Sequence, residues 1–143
     1  MTPTLLGRWQ TRIFLLATVG VFISIPFAMG LTGFPGGMSY FSVLFYVALF
    51  GLIWDVVYDQ IQKSRWDRDW PAAYQLFAGI WELIVILFLV FPLNVPGIGA
   101  GKSVPAIFVH YSVVWISTFI ASQSLMRILF VRWRFFGGQW LGN

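Results

Sequence analysis

Residues 54–71 read WDVVYDQIQKSRWDRDWP, and this stretch decides the fold. Seven charged residues fall inside it, Asp55, Asp59, Lys63, Arg65, Asp67, Arg68 and Asp69, in a chain whose full complement is nine basic and five acidic residues. Nearly everything on either side is apolar. The island divides two long hydrophobic blocks, each big enough for a helical hairpin.

The whole chain is 59% hydrophobic and 10% charged, whereas soluble domains carry charge on about a quarter of their residues. Crossing a hydrocarbon core takes roughly 20 helical residues. Four stretches are that long, at about 12–34, 38–57, 71–93 and 105–131, with a loop at 58–70. A closed barrel would need short segments of alternating polarity, and runs such as LFLVFPL do not alternate. The expectation is a single all-α integral membrane domain, four transmembrane helices in an antiparallel up-down bundle.

The basic residues flank these spans. Arg8 and Arg12 precede the first, Lys63, Arg65 and Arg68 lie between the second and third, and Arg127, Arg132 and Arg134 close the fourth. Only Lys102 falls on the other side. The positive-inside rule then puts both termini and the central loop in the cytoplasm. A bacterial plasma membrane or an internal, thylakoid-type membrane fits the compact chain. The first segment also has the basic start, apolar core and small-residue triplet Ala28-Met29-Gly30 of a signal peptide, but its apolar run continues past Gly30, so an uncleaved helix is expected. With no cysteine, disulfides and thiolate metal sites are excluded.

Local signals refine the spans. Pro26 removes a backbone donor near the outer end of the first, and Gly20 and Ser24 form a small pair that admits a close neighbour. GFPGGMS (33–39) predicts a tight hairpin. Asp55, Asp59 and Lys63 recur at a spacing of four, so the second helix should continue into the loop with Asp59 and Lys63 paired. Asp69 is expected to cap the third helix, with Pro71 in its first turn.

Four features bear on chemistry. GIGAGKS (97–103) resembles the P-loop, but Pro96 replaces its first glycine, Pro105 obstructs the following helix and no strand precedes it, so no nucleotide is expected. Glu82 lies near the middle of the third span, where a carboxylate is expensive and must face protein or water. It shares a stripe with Gln75, Ala78 and Gly79, and it reads either as an interhelical hydrogen-bonding group or as part of a proton relay. His110, with Ser117 and Ser124 at intervals of seven, marks a polar stripe on the fourth span. It is expected to pack internally, with a contact to Glu82 and ligation of a tetrapyrrole beside Ala106 as weaker alternatives. No metal ligand set accompanies it, and no cofactor is expected.

Tryptophans give the fourth feature. Trp9, Trp54, Trp66, Trp70, Trp133 and Trp140 all lie near the expected cytoplasmic boundary. Lipid anchoring accounts for some of them. Together with Asp55, Asp59, Arg65, Asp67, Arg68 and Asp69, Trp66 and Trp70 also make a candidate docking surface. The C-terminal Arg132, Trp133, Arg134 and Trp140 read as an interfacial anchor on anionic lipid.

One glutamate and one histidine are too few groups for a catalytic constellation. The sequence therefore favours a non-catalytic anchor, assembly factor or accessory subunit that meets other membrane or cytoplasmic-face proteins, with no nucleic-acid partner. The alternative is a small oligomeric carrier or proton-coupled channel using Glu82 and His110.

Overall fold

A computed structural model of the chain describes residues 3–98 and 102–141. The regular elements among the described residues are all helices, without strands. Four helices are long and apolar enough to cross a membrane: Leu5–Ala28, Ser39–Ser64, Ala72–Val90 and Val104–Leu129.

The first helix begins at Leu5, well before the expected Arg12. Thr4 caps it, its hydroxyl accepting from the Gly7 amide at 3.1 Å. The apolar pattern misses this start because residues 5–12 are amphipathic, and hydropathy alone does not register an amphipathic turn. The helix is α-helical over Leu5–Leu15, π-helical over Leu16–Gly20 and α-helical again over Val21–Ala28, with Pro26 inside the last piece. A π-helical insertion changes which residues face inward on either side of it. Gly30, Gly33 and Gly37, all at positive φ, make the connection to the second helix.

The second helix runs on to Ser64 and so takes in half of the expected loop, leaving only residues 65–71 as connection. The Asp59–Lys63 pair forms, at 2.6 Å. Pro71, not Asp69, stands at the N-cap of the third helix, and no side chain caps it. Ser103 caps the fourth, accepting from the Ala106 amide at 3.4 Å. That helix bends at Ser124, whose hydroxyl donates back to the Ile120 carbonyl at 2.6 Å, as back-bonding hydroxyls often do.

Two apolar clusters hold the bundle. The larger packs Leu16, Phe27, Tyr40, Val43, Leu44, Val47, Ile86, Val90, Ile107, Tyr111 and Val114. The smaller joins Leu15, Ala121, Met126 and Trp133. Large apolar side chains, among them Phe22, Phe45, Phe77 and Ile128, cover the outside, while buried Asp55, Asp59, Gln62, Glu82 and His110 occupy the inside. An apolar exterior around a polar interior suits a hydrocarbon surround.

After two short helices, Leu125–Leu129 and Val131–Phe135, the chain straps back along the first helix. The Thr4 amide donates to Gly137 O at 2.8 Å, the Trp133 indole to Thr11 Oγ1 at 2.7 Å, and the amides of Trp140 and Leu141 to Gln10 Oε1. The expected anchor is thus corrected in part. Trp133 is buried and Trp140 half-buried within the protein, with the Trp140 ring 4.9 Å from Phe14. Arg134 remains exposed, and Arg132 covers the ring of Phe136.

Candidate functional site: a charged cavity inside the bundle

Arg12 lies inside the first helix and reaches two carboxylates on two other helices. Its Nε and Nη2 donate to Asp55 Oδ2 and Oδ1, both at 2.9 Å. Its Nη1 and Nη2 donate to Glu82 Oε2 and Oε1, at 2.8 and 3.0 Å. The planar guanidinium fork suits such paired contacts, which an ammonium cannot reproduce. Gly51 makes the approach possible: a Cβ there would stand 2.3 Å from Arg12 Nη1 and 2.7 Å from Cζ.

Asp55, 3% exposed, and Asp59, 5% exposed, therefore face inward, which takes both out of the expected docking surface. Neighbouring groups extend the network. Arg8 Nη2 donates to Gln62 Oε1 at 2.6 Å, and Gln62 Nε2 donates to the Arg68 carbonyl at 3.0 Å. Arg8 also lies 4.4 Å from the Trp70 ring centroid, tying the first helix to the 65–71 connection. The Tyr58 hydroxyl approaches Glu82 Oε1 at 3.4 Å.

These groups open onto a cavity of about 360 Å³, within the size range of small-molecule sites. Arg12, Asp55 and Glu82 lie on it together, and the wall includes Trp70, Tyr111, Trp115 and Phe119, with Gln75, Thr118 and Ser122 supplying polar atoms. Gln75 Nε2 donates to Ser122 Oγ at 3.3 Å, and Gln123 Nε2 to Gln75 Oε1 at 3.1 Å. Gly79 lets Trp115 lie against the third helix, since a Cβ would meet its ring at 1.9 Å. Arg8, Asp69 and Arg127 also border the cavity, toward the 65–71 connection and the end of the fourth helix.

Ser24 and His110 are buried and lie off the cavity wall. Ser24, fully buried, donates to Gly20 O at 2.8 Å and lies 2.8 Å from His110 Nε2. A hydroxyl has one proton, so with that proton on Gly20 the imidazole must donate through Nε2. His110 packs against both Phe27 and Tyr40, with ring centroids 5.1 and 4.9 Å away. Its Nδ1 is buried without a partner, and Ala106 is fully buried. No room for a macrocycle exists beside this ring. The alternative contact between His110 and Glu82 does not form: His110 meets Ser24, and Glu82 meets Arg12. Ser117 is half-buried and off the cavity wall, where Thr118 and Ser122 stand instead.

At the connection, Arg65 clasps Asp67 at 2.8 Å and bonds the Tyr74 hydroxyl. This hydrogen bonding lowers the Asp67 carboxyl to about 2 and raises the Arg65 guanidinium above its usual value. Trp66 between them is 95% exposed. Arg68 takes a positive φ of 49° and Trp70 turns inward against Tyr58. Of the glycine-rich GIGAGKS, residues 99–101 lie outside the described residues. Lys102 donates to the carbonyls of Pro35 and Gly36 and covers the Tyr40 ring at 4.4 Å, far in sequence and contacts from the charged cavity.

Sequence reasoning found Glu82 and Gln75 but missed Arg12 as their companion. Arg12 sits at the flank of the first apolar run, and its carboxylates lie 43 and 70 residues away. Comparison with known proteins finds no matching family model, no matching curated protein and no matching solved structure.

Proposed function

We propose that this is a non-catalytic multi-pass membrane protein of carrier or binding type, which receives a small polar ligand into its charged cavity from the cytoplasm. The cavity of about 360 Å³ bordered by Arg12, Asp55 and Glu82 carries the reading. Ionised groups at this depth are costly and mark ligand or ion paths in membrane proteins. The distribution of Lys and Arg supports an up-down bundle with both termini and the 65–71 connection in the cytoplasm. The cavity then faces inward and the Ser24–His110 layer closes the outward side.

Filling the cavity tests this directly. Native mass spectrometry of protein released from its own membrane should show a small molecule bound one to one. Thr118→Trp should abolish that species without changing the melting temperature by more than a few degrees. A wild-type protein that emerges empty, or a Thr118→Trp protein with undiminished occupancy, would overturn the reading.

The exposed Trp66, on a connection stiffened by Arg65 and Asp67, favours a second reading as an accessory subunit docked through this loop. It has lost two of its supposed contact residues, Asp55 and Asp59, to the interior. Co-purification of a stoichiometric partner that Trp66→Ala releases would support it.

A further inference from the structure

The charges around the cavity are unevenly arranged. Arg12 is shared by two carboxylates, Asp55 and Glu82, so this inner group carries one more negative than positive charge. Glu82 Oε1 also accepts from Tyr58, so Glu82 Oε2 and both Asp55 oxygens are the ones that keep a second lone pair beyond their contact with Arg12. Toward the mouth the balance reverses. Among the described residues the Arg8 and Arg127 side chains donate to neutral amide oxygens, Gln62 Oε1 and Gln123 Oε1, each at 2.6 Å, with Arg8 also in the field of Asp55 and Asp59. Asp69 borders the same region. Asp59 is held by Lys63 and does not border the cavity. Arg8 precedes Arg12 by one helical turn, about 6 Å along the axis, and the aromatic side chains on the cavity wall favour an ammonium.

We propose that the cavity takes a zwitterion, its primary ammonium directed inward to Asp55 and Glu82 and its phosphate or carboxylate held by Arg8 and Arg127. This rests on the reading of the cavity as a ligand site and names the chemistry it selects. A lipid headgroup or a soluble metabolite could present the same pair of charges.

The test uses wild-type protein in phosphatidylglycerol nanodiscs, titrated with glycerophosphoethanolamine, with ethanolamine and with glycerol phosphate. Saturable one-to-one binding of the zwitterion is expected, at least ten-fold tighter than that of either half. Arg127→Gln, at an exposed position that spares the fold, and Glu82→Gln should each weaken it at least ten-fold. Equal binding of ethanolamine would overturn the proposal in favour of a cation site, and equal binding of glycerol phosphate in favour of an anion site. Binding of none of the three also overturns it. In that case persistent one-to-one occupancy of native protein, lost in Thr118→Trp, keeps the ligand site itself. Weakened titration in phosphatidylethanolamine nanodiscs supports the proposal with the headgroup as source. Unchanged titration supports it with a soluble source.

Discussion

Arg12 and Glu82, 70 residues apart in the chain, meet through two hydrogen bonds of 2.8 and 3.0 Å inside the bundle. Asp55 takes the other side of the same guanidinium. Three helices are thereby joined by one side chain. Such a group contributes little net stability relative to a well-packed apolar core, but removing one member leaves charge buried without compensation.

Arg12→Gln should accordingly destabilise the protein by about 3–5 kcal/mol. Adding Asp55→Asn and Glu82→Gln should recover much of that loss, because no unpaired charge then remains. Thermal unfolding in a mild detergent measures both. An unchanged midpoint for Arg12→Gln would show that the carboxylates are already neutral or solvated.

Gly51→Ala attacks the same group from the second helix. The added methyl would meet Arg12 at 2.3–2.8 Å, and an arginine fixed on both faces has nowhere to move. A cost of about 1–3 kcal/mol is expected. In the Arg12→Gln background the cost should shrink, since a displaced contact cannot be lost twice. Additive effects in this double-mutant cycle would contradict the packing.

Ser24→Ala removes the acceptor for the His110 imidazole. With the ring proton left buried, a loss of about 1–3 kcal/mol is expected. Proton and nitrogen NMR of a histidine-labelled sample should report the Nε2–H tautomer in the wild type. The Nδ1–H form would contradict the assigned direction of the bond.

The Arg65–Asp67 clasp predicts an acid-resistant loop. Asp67 has its folded-state value depressed to about 2 from 3.8 by the hydrogen bonds from Arg65. Its contribution is therefore complete above about pH 4 and is lost as pH falls through about 2. Because the pair is exposed, the effect concerns local order more than global stability. Trp66 fluorescence should stay constant from pH 7 to about 3 and change below that, while Asp67→Asn should remove the step.

The four helices were legible because their apolar runs exceed what any soluble element needs. Their ends were less so. Leu5–Trp9 is amphipathic, and Val56–Ser64 carries charges that suggest a loop until their helical spacing is followed through. Asp59–Lys63 was readable because its partners are four residues apart. The link from Arg12 to Asp55 and Glu82 was not, since hydropathy assigns each charge by its sequence neighbours and cannot see compensation from another helix. Trp133 misled for a related reason: an aromatic beside arginines looks interfacial, but here the chain doubles back and buries it against the first helix. His110 was rightly expected to pack inside, and only its partner needed the structure.

Side-resolved accessibility tests the cavity most directly. The chain has no cysteine, so Ala78→Cys places a single thiol on the cavity wall, and Trp66→Cys places one on the exposed loop. A membrane-impermeant thiosulfonate applied to inside-out vesicles should modify both, and applied to intact cells should modify neither. Modification of Ala78→Cys from the outside, or its failure to react in inside-out vesicles where Trp66→Cys does, would contradict the proposed opening of the cavity toward the cytoplasm.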